Sequence, residues 1–249
     1  MRLALLTDVH ANLEALTACL EHAKRGGAQR HVFLGDLVGY GADPEAVLDF
    51  VQEHVSAGGA AVLGNHDAAV AAGHSSSMPP DIERAIAWTH DRLDPARLAF
   101  LRALPLRVEE SERLYVHANA WAPSEWEYVL GPLDAGRSLR ATSCRWTFCG
   151  HTHTPALYHM TAATQRVRSF TPVPGVGVPL GLRRRWLAVP GSCGQPRDGN
   201  PAASYALFDD ETHVMTWFRV PYDHERAARK IRAAGLPERF AAILLEERP

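Results

Sequence analysis

The chain has 249 residues, 46% of them hydrophobic and 22% charged, with a formal net charge of −2. That is an ordinary balance for a globular protein with a sizeable core, built as one large domain or two small ones. The small net charge argues against a general binder of nucleic acid or membrane surface, and no apolar stretch approaches membrane-spanning length.

The run LALL (3–6) predicts a buried strand that ends in Thr7-Asp8-Val9-His10. Met1-Arg2 precedes only four apolar residues, too few for a signal-peptide core, so a cytoplasmic protein is expected. A helix follows from about Asn12 to Arg25, with Leu13, Leu16, Leu20 and Ala23 on one face and Gly26-Gly27 as its stop. HVFL (31–34) is a second strand and ends in Gly35-Asp36. Asp43-Pro44 opens a second helix, with Asp as N-cap and Pro at the first helical position, ending near Gly58-Gly59. AAVL (60–63) completes a βαβαβ unit, so this sheet is at least partly parallel, and leads into Gly64-Asn65-His66-Asp67.

Residues 71–80 read as a loop, followed by helices to about Leu93 and from Asp94-Pro95 to Ala103. Strands are then expected without intervening helices, at 106–109, 113–117, 145–149, 156–160, 166–170, 185–189, 203–208 and 213–220. Short turns such as Asp209–Thr212 imply antiparallel pairing among them. His117 ends the second of these strands, and Gly150-His151-Thr152-His153 follows the third. The Pro/Gly-rich stretch 171–181 reads as a surface loop. Arg183-Arg184-Arg185 beside it reads as a solvated face, with a patch for substrate phosphate as the sharper alternative. Helices at 223–234 and 237–247 close what is expected to be a single domain, 1–249. Cys19, Cys144, Cys149 and Cys193 form no CxxC pair and are expected to be reduced thiols.

Five strands thus end in metal-ligand side chains, and ligands in open α/β sheets sit beyond the carboxyl ends of strands. Two Asp, five His and one Asn would converge there, a donor set that suits a pair of first-row divalent cations. Asp8 and His10 are two residues apart, as are His151 and His153; in extended chain each pair points to one side. Glycines before Asp36, Asn65 and His151 permit the tight turns that bring those side chains in. Asp36, with two carboxylate oxygens, is the natural bridge. Two cations lower the pKa of bound water from about 15.7 toward roughly 7, so a hydroxide between them would be the nucleophile. Any one of these motifs is weak; their ordered set is not. The remaining histidines (22, 31, 54, 74, 90, 159, 213 and 224) read as ordinary core or surface residues.

The order D-x-H, G-D, G-N-H-D, H, G-H-x-H resembles the calcineurin-like metallophosphoesterase superfamily. GDLVGYGADP (35–44), GSCGQPRDGNPAASYALFD (191–209) and VPYDHERAARKIRAAGLPERF (220–240) are similar to its bacterial branch of small phosphodiesterases and relatives of diadenosine tetraphosphatases. The resemblance implies an α/β fold in which two mixed β-sheets pack as a sandwich flanked by helices, a four-layer αββα arrangement. It implies one metal on Asp8, His10, Asp36 and His153, and another on Asp36, Asn65, His117 and His151. It leaves His66 to contact the scissile phosphate or protonate the leaving oxygen. Manganese is the first expectation, with Fe, Zn, Co and Ni also compatible.

Three departures from the family pattern stand out. Gly39 replaces the Asp that orients the catalytic His in protein phosphatases, so a protein phosphatase is not expected; Asp67 is one candidate to orient His66, although adjacent residues often point apart. His117-Ala118-Asn119-Ala120 replaces His-Gly-Ser-Pro, and Cys193 replaces a valine. Tyr40, Asn119, Trp121, Trp126 and Arg197 lie in loops that could line the pocket mouth; for Trp121 and Trp126 the plainer reading is packing of the loop onto its sheet. The expected partner is a small phosphorylated substrate, a nucleotide among the options; nothing supports nucleic acid or membrane. A dinucleoside polyphosphate hydrolase and a non-catalytic scaffold of the same fold are the alternatives.

Overall fold

Residues alternate across the first strand, β1 (Arg2–Leu6). Leu3 and Leu5 face a second sheet, while Ala4 and Leu6 face helices. A strand buried on both faces is what a continuous apolar run produces. The computed structural model describes residues 1–75, 78–161 and 163–246. The other strands are β2 (Arg30–Phe33), β3 (Ala60–Ala61), β4 (Arg107–Glu110), β5 (Arg113–Val116), β6 (Trp146–Phe148), β7 (Ala156–Thr161), β8 (Val167–Phe170), β9 (Gly177–Pro179), β10 (Arg184–Val189), β11 (Ala203–Asp209) and β12 (Val214–Val220). The helices are α1 (Leu13–Arg25), α2 (Pro44–Ser56), α3 (Asn65–Ala72), α4 (Pro80–Arg92), α5 (Pro95–Ala103), α6 (Pro132–Arg140), α7 (His224–Ala233) and α8 (Glu238–Ala242).

Two six-stranded sheets form, ordered β3-β2-β1-β11-β12-β9 and β4-β5-β6-β10-β7-β8. In the first, β1, β2 and β3 run parallel and the rest antiparallel; in the second, β5, β6 and β10 are the parallel core. Leu5, Val32, Tyr115, Phe148, Phe208 and Trp217 fill the space between the sheets. Helices α1, α2, α3 and α5 cover the outer face of the first sheet, and α6 covers that of the second. This is the expected four-layer sandwich. No helix among the described residues is long and apolar enough to cross a membrane.

Several boundaries differ from the sequence reading. Helix α3 starts at Asn65, and α6 interrupts a region expected to hold only strands. Strand β9 lies inside the 171–181 stretch expected to be a loop. The last helix is five residues, Glu238–Ala242; residue 247 of the expected helix, and residues 76 and 77 of the expected loop, lie outside the described residues. Asp43 does precede α2, but its carboxylate pairs with Lys230 Nζ at 2.9 Å instead of capping the helix. Arg184 and Arg185 begin β10, which runs parallel to β6, so they lie at the end of the sheet away from the His151 loop. That placement removes the phosphate-patch reading.

His31 on β2 packs edge-on against His54, ring centroids 4.4 Å apart, and its Nε2 is buried without a partner. Burial, then the charge of His54, pushes its pKa down to about 4. The folded value lies below the unfolded one of about 6.5, so the stability this ring contributes is present above pH 6.5 and is lost as pH falls toward 4. His31→Phe should therefore flatten the fall of the urea midpoint between pH 6.5 and 4; an unchanged slope would remove His31 as its source.

Candidate metal centre

The five motifs do meet at the carboxyl ends of the parallel strands. Asp8 and His10 follow β1, Asp36 follows β2, Asn65 follows β3, His117 follows β5, and His151 and His153 follow β6. The loops after β1 and β2 stay zipped together beyond the strands, through Asp8 N–H to Gly35 O (3.1 Å), His10 N–H to Asp36 O (3.0 Å) and Ala11 N–H to Leu37 O (2.9 Å). The chain here is not extended. Asp8, His10, Asp36, His151 and His153 all sit at φ between 50 and 67°. Left-handed backbone in such residues costs about 1–2 kcal/mol each and persists only where the surroundings impose it. Asp8 and His10 therefore converge through turns, not through the alternation expected from their spacing. Gly35 makes room in its own way: a Cβ there would lie 2.7 Å from His117 Nδ1.

Two groups of buried donors result, Asp8-His10-His153 and Asp36-His117-His151, with each group's ligand atoms within 4.8 Å of one another. Asn65 Oδ1 lies 3.2 Å from His117 Nε2 and joins the second group. Three of the rings are anchored from behind: Nδ1 of His10 faces Val38 O at 3.3 Å, that of His153 faces Gln195 O at 2.6 Å, and that of His117 faces Leu34 O at 2.8 Å. A carbonyl only accepts, so each Nδ1 carries a proton, and in His10 and His153, which burial keeps neutral, Nε2 turns a lone pair into the centre. His10 Nε2 and His153 Nε2 then oppose each other at 3.2 Å as two acceptors. Two buried lone pairs at that distance call for a cation between them, and this is the observation that makes a metal fit.

The electrostatics agree. Burial pushes His10 and His153 well below the ordinary imidazole range, and His151 down to about 3, so these rings are neutral and available as ligands. Burial, reinforced by the charge of Asp36, lifts Asp8 to about 6. Burial alone would also raise Asp36, but His117, His66 and His10 together hold it ionised. The same carboxylate reverses the effect of burial on His117 and raises it to about 9. A cation at His117 would thus displace a proton.

Asp36 is placed centrally. Its Oδ2 lies 3.3 Å from His117 Nε2 and 3.7 Å from His10 Nε2, and its Oδ1 accepts the backbone N–H of His66 at 2.9 Å. Asp8 is held by Thr7 Oγ1 (2.9 Å) and by the backbone N–H of His151 (3.1 Å).

His66 lies beside the two groups, 4% exposed, with Tyr40 packed on it at 4.5 Å and His10 edge-on at 5.0 Å. Its Nδ1 is buried without a partner and faces Gly39, where a Cβ would approach to 2.6 Å. Asp67 does not orient it. That carboxylate accepts the backbone N–H groups of Leu37, Val38 and Gly64 at 2.8–3.1 Å, tying α3 to the loop after β2. Packing against Tyr40 takes the place of an acidic partner.

A model of the calcineurin-like phosphoesterase superfamily domain matches residues 1–213. The chain belongs to that superfamily. It is 32% identical over 246 residues to an uncharacterised protein of Methanocaldococcus jannaschii, covering 95% of this chain and 94% of the other. The crystal structure of a metallophosphoesterase from Sphaerobacter thermophilus is similar over 100% of both chains, with 34% identity and a TM-score of 0.88. A hypothetical protein from Pyrococcus horikoshii shares the fold at 20% identity and a TM-score of 0.78, over 99% of this chain and 98% of that one.

The pocket-mouth residues divide. Tyr40 and Arg197 line one cleft of about 430 Å³ beside the centre; Trp126 lines another of about 470 Å³, with Asn65, Met78, Tyr128 and His151. Asn119 is fully buried and holds its own loop, accepting from Trp121 N–H and Ala122 N–H and donating to Glu127 O. Trp121 packs on the second sheet under Arg137, as the plainer reading had it. Sequence reasoning missed Tyr128, which stacks face to face on His151 at 4.0 Å and is 46% exposed. No local motif marks it.

Proposed function

We propose that this protein is a binuclear metal-dependent phosphoesterase acting on diesters of small molecules. The observation that carries the reading is the opposed pair of buried imidazole lone pairs, His10 and His153, beside a second group of candidate ligands around Asp36. Asp8, His10, Asp36 and His153 would hold one divalent cation; Asp36, Asn65, His117 and His151 would hold the other. Such cations supply Lewis acidity, activating water and neutralising phosphoryl charge. Mixed nitrogen and oxygen donors suit Mn, Fe, Zn, Co or Ni, with manganese as the first trial.

His66 would serve the leaving group. Its Nδ1 is closed off against Gly39, so Nε2 is the nitrogen left to contact the scissile phosphate or give a proton to the departing oxygen. The two clefts favour a diester, because a phosphate at the centre has room for a substituent on each side. The exposed face of Tyr128 offers an aryl group or a base a surface to stack on.

The test is hydrolysis of bis(p-nitrophenyl) phosphate beside p-nitrophenyl phosphate, after stripping metal and reloading manganese. Diester turnover that EDTA abolishes and manganese restores is expected. Preference for the monoester would make it a phosphatase of small metabolites instead. No turnover of either, with two cations bound, would sink the reading and favour a scaffold.

A further inference from the structure

The ring of His66 is held by shape. Its Nδ1 has no hydrogen-bond partner among the described residues, and its support is the ring of Tyr40, centroids 4.5 Å apart at 50°, with the edge of His10 at 5.0 Å. Tyr40 is itself under strain. Gly39 and Tyr40 sit at φ 90 and 63°, two left-handed residues in succession. In a tyrosine that backbone persists only where the surroundings impose it. The next residue is pinned as well, Gly41 N–H donating to His10 O at 3.0 Å.

The last two helices supply those surroundings. Phe240 of α8, 4% exposed, meets the Tyr40 ring edge-on at 4.8 Å. The two rings share one buried cluster with Ala85 of α4, Ala228 and Ile231 of α7, and Leu244. The α7 end of this unit is fastened to the body by Lys230, whose Nζ reaches Glu14 of α1 at 2.6 Å and Asp43 at 2.9 Å. Both helices lie beyond residue 213, where the superfamily model stops. Yet they reach the edge of the centre through two ring contacts, Phe240 on Tyr40 and Tyr40 on His66. Truncating Phe240 leaves space that the neighbouring structure partly fills. The strained residue beside that space is Tyr40, and its movement withdraws the support from His66.

We propose that Phe240 is a positioning residue for His66, acting through Tyr40, so that the two closing helices belong to the frame of the active site. This rests on the phosphoesterase reading above. A ring contact fixes where His66 lies and adds nothing to substrate affinity, so its loss is read in kcat and not in KM.

The test is a double-mutant cycle on the manganese-loaded protein, with bis(p-nitrophenyl) phosphate as substrate. A displacement of about 1 Å in a catalytic group can cost on the order of 10²-fold, so Phe240→Ala, which removes one support at second hand, should lower kcat about tenfold and move KM less than about twofold. In a His66→Asn background the same truncation should cost less than about twofold, because no ring is left to place. Phe240→Leu, which refills most of the volume against Tyr40, should recover most of kcat. Metal per chain and thermal unfolding are measured for every variant, and Phe240→Val replaces Phe240→Ala in the cycle if the alanine variant does not fold. Undiminished kcat in the truncated variant, equal losses with and without His66, or a loss confined to KM or bound metal would overturn the inference and leave the phosphoesterase reading intact. A wild type that turns over no ester with two cations bound would remove the reading and the inference with it.

Discussion

Replacing His66 by Asn should lower ester turnover about 10²–10⁴-fold, the usual worth of a positioned general acid, and leave the bound metal unchanged. The two halves of that result have separate structural grounds. His66 belongs to neither group of candidate ligands, so its loss removes no donor. Its backbone N–H, not its ring, is what Asp36 holds, and Asn preserves that bond. The ring itself is fixed by contact with Tyr40 and His10 and by the absence of a side chain at Gly39. The measurement is kcat for a diester together with metal per chain by elemental analysis. Turnover that survives would show that the ring plays no part in the chemistry. Metal loss in a folded variant would show that His66 is a ligand.

Asp36→Asn should have the opposite signature, with metal lost first and activity as a consequence. Asp36 is the carboxylate that lies near rings of both groups, 3.3 Å from His117 and 3.7 Å from His10. Its negative charge also sets the proton affinities around it. An amide keeps the shape, loses the charge and leaves one former acceptor as a donor. The expected stoichiometry falls from two cations per chain to fewer than one. Occupying one site at a hundred times its Kd adds about 2.7 kcal/mol of stability. For a chain of this size that is about 5–10 °C in Tm. Manganese should therefore raise the wild-type Tm by at least that amount and move the variant's far less. A variant that still binds two cations would end the bridging role of Asp36.

Much of this centre was legible because the candidate ligands sit where apolar runs stop, and runs buried on both faces are easy to see. What escaped has physical causes. The convergence of Asp8 with His10 rests on left-handed backbone, which no spacing rule reveals. Helix α3 is short and begins on the candidate ligand Asn65, so its alanines look like the start of a loop. Helix α6 contains Gly136, a poor helix former, where a Cβ would come within 3.0 Å of Val167 on β8. Close packing explains the glycine, and the glycine hides the helix. Strand β9 has three residues, ends in Pro179 and lies at a sheet edge, where proline is tolerated. Tyr128 and the actual work of Asn119 depend on how one loop folds back, and the loop's sequence does not say.

Each candidate triad draws on both sheets. Asp8 and His10 come from the loop after β1 while their partner His153 follows β6; Asp36 follows β2 while its partners follow β5 and β6. Neither half of the sandwich carries a complete set. A cation held as proposed would therefore wait until the halves had docked, entering after the folding barrier is crossed. It would leave the speed of folding untouched and act on escape from the native state, as a latch across a closed seam.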